Sequence, residues 1–197
     1  MSRIYFDISA TTPIEPQVVD FMYELQKEYY GNPSSIHREG QSARAIIEKS
    51  RNQLAKALNC LPDEIIFTSS GSESNNMVLK GILKSSDHFI TSSYEHPAIL
   101  KVIPSLQKKG VEVSYIEPDN NGIIQLEAIK EKIQVNTKLI SIMYVNNELG
   151  TINPIKEIAD FSYSKNILLH SDGVQALGKI PIDMKHIPVN FLSMSAH

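Results

Sequence analysis

The sequence contains 197 residues, of which 42% are hydrophobic, so it is long enough to bury the core of one or two domains. The 19 basic and 22 acidic residues leave a formal net charge of −3, which argues against a nucleic-acid-binding arm or a basic membrane-binding patch. The longest strongly apolar stretch, residues 139–145, is too short to span a membrane, and the N-terminus lacks the apolar run of a secretory signal. The single cysteine, Cys60, excludes an internal disulfide framework. We therefore expect a soluble, intracellular globular protein.

Two helices are predicted at the start of the chain. Residues 16–30 place Pro16 in the first turn and apolar residues on one face, and Gly31 follows as a stop signal. Residues 42–58 repeat apolar residues at helical spacing, and Pro62 follows the end of this pattern.

After these helices, short runs with β-strand composition alternate with helical patterns. The predicted strands are residues 64–68, 88–91, 111–116, 138–144, 166–170 and 189–194. The predicted helices among them are residues 72–84, 97–109, 126–133 and 154–165. This alternation predicts an α/β fold with a mainly parallel sheet and helices on both faces. Such sheets bind ligands at the carboxyl ends of their strands, so the segments that follow the strands form the candidate site.

Polar segments rich in Ser, Asn, Asp and His follow most of the predicted strands. They are residues 68–76, 92–97, 146–151, 171–175 and 195–197. The first of them contains a Ser/Gly run that opens a predicted helix. The free N–H groups, the hydroxyls and the helix dipole at such a start can bind a phosphate or a carboxylate, and ordinary helix capping is the alternative explanation.

The other polar segments offer single candidate side chains, each with a structural alternative. His96 could stack on a flat ring or transfer protons, or it could be an ordinary loop histidine. Asp172 ends an apolar strand and could pair with a cationic heterocyclic nitrogen, or it could cap its own turn. Gln175 could donate to a ring oxygen or face solvent. Asn146 and Asn147 could hold a polar ligand or form a polar turn.

The cysteine and the remaining histidines carry no functional signal. Cys60 follows a predicted helix end, where a small thiol at the edge of the core is a more common role than a nucleophile. His37, His88, His170 and His186 lack the spacing of metal ligands. We therefore predict no metal site.

Taken together and in this order, several segments resemble the cysteine desulfurases of the NifS/IscS type. These enzymes are class V aminotransferases, within the fold-type I group that uses pyridoxal 5′-phosphate. The matching segments are residues 5–13, 31–37, 67–76, 95–96, 146–151, 170–175 and 193–197. The resemblance covers the whole printed sequence, but only the first half of such an enzyme. It implies a three-layer α/β/α fold with a mostly parallel, seven-stranded sheet.

The resemblance implies how the two charged ends of the cofactor are bound. Gly71 and Ser72 match the residues whose backbone and hydroxyl bind the cofactor phosphate at a helix start. Asp172 matches the aspartate that pairs with the pyridinium nitrogen, and a buried carboxylate favours that cation by opposite-charge attraction. One departure is mild, because Ser70-Gly71-Ser72 stands where the family often has Gly-Ala-Thr. We expect glycine at position 71 to make the turn more permissive.

The resemblance also assigns the remaining candidates. His96 matches the catalytic histidine that stacks on the pyridine ring and moves protons. Asn147 and Gln175 match residues near the phenolic oxygen of the ring and the substrate. Ser195 and His197 match the phosphate-side residues that directly precede the lysine to which the cofactor is covalently attached.

The parts of the family pattern that this sequence lacks limit what it can do alone. In the family the cofactor lysine follows the equivalent of His197, and the nucleophilic cysteine and the carboxylate-binding arginine lie in the second half. Cys60 does not match that cysteine. We therefore expect a fragment, or a sequence broken at a cofactor-modified lysine, with a natural truncation as the alternative. Residues 1–197 by themselves are predicted to be inactive.

For the complete enzyme, the resemblance implies conversion of L-cysteine to L-alanine, with the sulfur held as an enzyme persulfide. The sulfur would pass to an iron–sulfur scaffold or a thiolation partner. The alternatives are another class V enzyme, such as a selenocysteine lyase or an aminotransferase-like relative, and a non-catalytic homologue that acts as a binding protein. The expected protein is a homodimer without nucleic-acid or membrane partners, located in the cytoplasm, or in the mitochondrial matrix of a eukaryote. Residues 1–12 would belong to the small domain and residues 13–197 to the large cofactor-binding domain.

Overall fold

The computed structural model describes residues 4–196, which divide into two compact units, one ending at Ile66 and the other running from Phe67 to Ala196. The first unit contains two helices, α1 (Pro16–Glu28) and α2 (Arg38–Leu58). The ring of His37 caps α2, because its Nδ1 accepts a hydrogen bond from the N–H of Gly40 at 3.3 Å. Both predicted helices are therefore confirmed, and α2 begins earlier than its apolar pattern indicates.

The strand predicted at residues 64–68 is wrong. Pro62–Glu64 form a single 3₁₀ turn, and the residues that follow it run as a loop. Ile66 is 69% exposed and Phe67 is 48% exposed, so these apolar side chains have little of the packing that a strand requires. A run of β-branched and aromatic residues is compatible with a strand, but it forms a strand only where it can pair with a neighbour in a sheet.

The second unit is built on a five-stranded sheet. The strands are β1 (His88–Ser92), β2 (Glu112–Ile116), β3 (Thr137–Ser141), β4 (Leu168–Asp172) and β5 (Phe191–Ser193). Their order is β2-β1-β3-β4-β5, and every neighbouring pair is parallel. The predicted α/β fold with a parallel sheet is thus confirmed, and the described residues contribute five strands to it.

Of the helices in this unit, one precedes the first strand of the sheet, and the others lie between successive strands from β1 to β4. They are α3 (Gly71–Ile82), α4 (Pro97–Leu100), α5 (Ile103–Gln107), α6 (Leu126–Lys132) and α7 (Ile155–Ser164). The helix predicted at residues 97–109 is divided into α4 and α5. Pro104 explains the interruption, because proline has no N–H for the helical ladder and its ring clashes with the carbonyl four residues earlier.

The core lies on both faces of the sheet. Phe89 and Leu139 pair in register and belong to one apolar cluster with Val78 and Leu79 of α3. The next residues along the two strands, Ile90 and Ile140, point to the opposite face and are also 0% exposed. Helices therefore cover both faces, as expected for a three-layer arrangement. Within residues 4–196, no helix is long and apolar enough to cross a membrane.

Candidate active site

The carboxyl ends of β4 and β5 and the start of α3 bring the main candidate residues together. Asp172 is the last residue of β4 and is only 5% exposed. Its Oδ2 accepts a hydrogen bond from Nδ2 of Asn75 at 2.7 Å, and its Oδ1 accepts one from the N–H of Val174 at 3.1 Å. The buried carboxylate is therefore held by one donor from α3 and one from its own turn.

The first turn of α3 is the predicted site for an anion. Ser70 caps the helix, and its Oγ accepts a hydrogen bond from the N–H of Glu73 at 3.1 Å. The first N–H groups of a helix have no partner inside the helix, so those of Gly71 and Ser72 point out of its positive end. The capping alternative and the anion-binding interpretation are thus compatible, because they use different N–H groups.

Gly71 lies directly against the turn that follows Asp172. A Cβ atom at position 71 would lie 2.7 Å from Cγ2 of Val174 and 3.9 Å from the carbonyl oxygen of Met194. A Cβ here would force the Val174 side chain to shift, so glycine permits the close approach between this turn and the start of α3. The role of Gly71 is therefore steric. From the sequence we expect it to relax the backbone of the turn, but Gly71 is not among the glycines with a positive φ. Ser195 is half-buried and follows Met194, beyond the end of β5.

Helix geometry gives the axial spacing of Gly71 and Asn75. Asn75, which contacts Asp172, lies four residues after Gly71 on the same helix. At about 1.5 Å per residue, this places the helix start about 6 Å along the axis from the residue that contacts the carboxylate. The buried carboxylate thus contacts α3 about one helical turn after the start of the helix.

His96 follows β1 and opens α4. It is exposed, and its Nδ1 accepts a hydrogen bond from the N–H of Ala98 at 3.1 Å. This bond fixes the ring orientation and leaves Nε2 and the ring face available. The histidine therefore caps a helix and can still bind a flat ligand.

Glu95, directly before His96, is a buried acid that was not among the candidate site residues identified from the sequence. Its Oε1 accepts hydrogen bonds from Oγ of Ser92 at 2.5 Å and from the N–H of Met143 at 2.9 Å. Burial raises the pKa of Glu95 to about 8, and the negative charge of Asp172 adds to this effect. The carboxyl of Glu95 is therefore mainly protonated at pH 7. Its hydrogen bonds also connect the end of β1 with the residues that follow β3.

Asn146 and Asn147 have different roles, which the sequence could not separate. The Oδ1 of Asn146 accepts hydrogen bonds from the N–H groups of Glu148 and Leu149, at 2.9 Å and 2.8 Å, so this side chain holds the turn. In the described part of the chain, the half-buried side chain of Asn147 makes no hydrogen bond. Of the two amides, Asn147 is the one available to a ligand.

The last two candidates are Gln175 and His197. The Oε1 of Gln175 accepts a hydrogen bond from Nζ of Lys179 at 2.6 Å. This contact orients the side chain in the turn after Asp172. His197 lies outside the described residues.

A buried chain of polar side chains joins α3 to the strands that carry the site. His170 makes hydrogen bonds through Nδ1 to Ser141 Oγ at 2.8 Å and through Nε2 to Ser193 Oγ at 3.0 Å. The Oγ atoms of Ser193 and Ser74 are 2.8 Å apart and share a further hydrogen bond. Burial lowers the pKa of His170 to about 3, so the ring is neutral. The histidine that showed no metal-ligand spacing thus anchors β3, β4, β5 and α3 to one another.

The family of the chain follows from comparison with known proteins. The sequence profile of the family described as "Aminotransferase class-V" matches residues 4–197. The chain therefore belongs to the class V aminotransferase family.

Within this family, the similar curated proteins are cysteine desulfurases. "Cysteine desulfurase IscS" of Dictyoglomus turgidum is 43% identical over 199 residues, which cover 99% of this chain and 50% of the relative. "Cysteine desulfurase, mitosomal" of Encephalitozoon cuniculi is also 43% identical, and the match covers 99% of this chain and 47% of the relative. The chain thus spans about half the length of the curated relatives it matches.

Solved structures show the same likeness. A structure named "NIFS-LIKE PROTEIN" matches with a TM-score of 0.95 and 39% identity, covering 100% of this chain and 56% of the other. A second, described as "SspA in complex with cysteine", matches with a TM-score of 0.94 and 38% identity, covering 98% of this chain and 57% of the other. The resemblance to NifS/IscS proteins predicted from the sequence is therefore confirmed.

Proposed function

We propose that this chain binds pyridoxal 5′-phosphate and takes part in a cysteine desulfurase reaction. In that reaction L-cysteine becomes L-alanine, and its sulfur passes to an enzyme thiol as a persulfide. The observation that carries the proposal is the contact of Asp172 with Asn75, one helical turn from the anion-binding start of α3. The similarity to cysteine desulfurases supports the choice of reaction.

The donor set fits the cofactor at both of its charged ends. The phosphate of the cofactor is an anion and its protonated ring nitrogen is a cation, so the two ends are complementary to a helix start and to a buried carboxylate. The N–H groups of Gly71 and Ser72 and the hydroxyl of Ser72 would hold the phosphate. Asp172 would hold the cationic nitrogen.

The remaining candidates would act around the ring. When bound, pyridoxal phosphate supplies an electron sink for bonds at the α-carbon of an amino acid. His96, fixed through Nδ1, would stack on the ring and move a proton at Nε2. Asn147 and Gln175 would contact the phenolic oxygen and the substrate. Ser195 and, by resemblance, His197 would complete the phosphate site.

Cys60 is poorly suited to accept the sulfur. Burial and the nearby negative charge of Glu64 raise the pKa of its thiol. A thiol must lose its proton to attack, so this cysteine is a weak nucleophile at neutral pH. The sulfur acceptor of the proposed reaction is therefore a thiol other than Cys60.

Other features of the family are part of the proposal. We propose that the enzyme acts as a homodimer and delivers sulfur to an iron–sulfur scaffold or a thiolation protein. Residues 1–12 would belong to a small domain. The expected location is the cytoplasm, or the mitochondrial matrix in a eukaryote, and a relative from Candida albicans named "Cysteine desulfurase, mitochondrial" is 42% identical.

Formation of alanine from L-cysteine by the complete protein, loaded with pyridoxal phosphate, tests the proposal. Asp172→Ala should lower kcat/KM about 100-fold or more, because it removes a preorganised charge from the reacting group. Asp160→Ala is the matched control, because Asp160 is exposed and, among residues 4–196, forms an ion pair with Lys156 on its own helix. Selenocysteine or a 2-oxo acid as the required substrate, with no alanine from L-cysteine, would favour another class V activity. Absence of cofactor binding would overturn the proposal.

A further inference from the structure

Asn75 is almost completely buried, and the direction of its amide is fixed by its partner. It is 1% exposed, and its Nδ2 donates to Oδ2 of Asp172 at 2.7 Å. The reverse orientation would place the amide oxygen against a carboxylate oxygen, where neither group can donate. The Oδ1 of Asn75 has no hydrogen-bond partner in the described part of the chain. A buried acceptor without a partner lowers the stability of the fold. The favourable polar contact of this side chain is therefore its hydrogen bond to Asp172.

The hydrogen bonds to Asp172 leave each of its oxygens with room for one more donor. A carboxylate oxygen accepts about two hydrogen bonds. Asn75 occupies one position on Oδ2 and Val174 occupies one on Oδ1. Together they orient the carboxylate, and each oxygen keeps one lone pair for a further donor.

Among residues 4–196, Asp172 has no cationic side chain as a partner. None of the ion pairs in this range includes it. Its charge instead acts on another acid, because the negative charge of Asp172 contributes to the raised pKa of Glu95. Within this range, the direction in which the carboxylate points therefore depends on neutral donors, of which Asn75 is the side-chain donor.

The helix that carries Asn75 is itself held in place. The preceding residue, Ser74, shares a hydrogen bond with Ser193, which pairs in register with Asp172 on the neighbouring strand. Ser193 is in turn bonded to His170, two residues before Asp172 on β4. Adjacent residues of α3 thus contact β5 and β4, and this fixes the position from which Asn75 donates.

We propose that Asn75 is a positioning residue, which aims the Asp172 carboxylate at the cationic ring nitrogen of the bound cofactor. The proposal rests on the proposed binding of pyridoxal phosphate and extends it to a residue that does not touch the cofactor's phosphate. This role predicts that the effect of Asn75 on binding depends on the ring nitrogen of the ligand. Asn75 should matter for ligands with a ring nitrogen and should not matter for ligands without one.

The test compares two probes, pyridoxal phosphate and its 1-deaza analogue, in which a C–H group replaces the ring nitrogen. Equilibrium dialysis with the purified protein gives Kd for both. Asn75→Leu keeps the size of the side chain but removes the donor, and it should weaken pyridoxal phosphate binding about 10- to 100-fold, the range for a hydrogen bond to a charged group. Binding of the deaza analogue should change less than about 3-fold. Asn52→Leu is the control, because Asn52 is an exposed asparagine bonded only to Glu48 within α2.

The outcomes separate this inference from the function on which it rests. Equal weakening of both probes by Asn75→Leu would show a merely structural role and would overturn the inference. Unchanged binding of both probes would overturn it as well. If Asn75→Leu does not fold, Asn75→Ala gives the second measurement, since it also removes the donor and should weaken binding of pyridoxal phosphate more than binding of the deaza analogue. Failure of the unmodified protein to bind pyridoxal phosphate at all would instead contradict the proposed function.

Discussion

Replacing Glu95 by glutamine keeps the shape of a buried side chain and removes its titrating proton. Glu95 is 3% exposed, and its Oε1 accepts hydrogen bonds from Oγ of Ser92 and from the N–H of Met143. The amide oxygen of glutamine can accept the same two bonds, from Ser92 and Met143. The variant should therefore fold, and its stability should differ from that of the original protein mainly in how it depends on pH.

The direction of that dependence follows from the raised pKa. Burial raises the pKa of Glu95 from 4.5 to about 8, so between these values the folded protein holds a proton that the unfolded chain has lost. The contribution of Glu95 to stability is thus fully present below about pH 4.5 and is lost as the pH rises toward 8. One proton changes the free energy of unfolding by at most about 1.4 kcal/mol per pH unit. From pH 6.5 to pH 8 the loss amounts to about 2 kcal/mol at most.

Urea unfolding followed by circular dichroism measures this difference. Between pH 6.5 and pH 8 the free energy of unfolding of the original protein should fall relative to that of Glu95→Gln, by about 1–2 kcal/mol. Glu131→Gln, at an exposed position on α6, should follow the original protein throughout this range. Parallel curves for the original protein and Glu95→Gln would refute the reasoning, because they would show that Glu95 is already ionised in the folded state.

Further predictions concern other buried groups. Burial lowers the pKa of His170 to about 3, so the unfolded chain binds a proton below about pH 6.5 that the folded protein does not. The free energy of unfolding should therefore fall with decreasing pH, by up to about 1.4 kcal/mol per pH unit. Urea unfolding of His170→Gln should lack this loss. Gly71→Ala places a Cβ 2.7 Å from Val174, so thermal unfolding should show a destabilisation of about 1–3 kcal/mol that added Val174→Ala largely relieves. A double variant as unstable as the single one would contradict this contact. Cys60 should react with iodoacetamide more slowly than free cysteine at pH 7.5, as followed by mass spectrometry, because the pKa of its thiol is raised. A faster reaction would show an activated thiolate.

Local patterns were sufficient to predict the sheet and the polar segments at its edge. The strands around Phe89, Leu139 and Leu169 are short apolar runs between turn-forming residues, and the structure contains all three. The run at residues 64–68 has a similar composition but forms no strand. The division between α4 and α5 could have been predicted from Pro104, whose effect on a helix is local.

The contacts that define the site could not be predicted from local patterns. Asn75 and Asp172 are 97 residues apart in the sequence, and nothing near either residue indicates that the other is its partner. Glu95 carries no local sign of burial, because its partner Met143 lies 48 residues away. Asn146 and Asn147 are chemically identical in the sequence, and only the fold of the turn assigns one to structure and leaves the other available.

A crystal structure of the protein soaked with pyridoxal phosphate tests the central claim most directly. One molecule should lie in the second unit, with phosphate oxygens about 2.7–3.2 Å from the N–H groups of Gly71 and Ser72. The ring nitrogen of the same molecule should lie at a similar distance from a carboxylate oxygen of Asp172. Binding elsewhere, or a phosphate at the start of α3 with the ring nitrogen directed away from Asp172, would contradict the account.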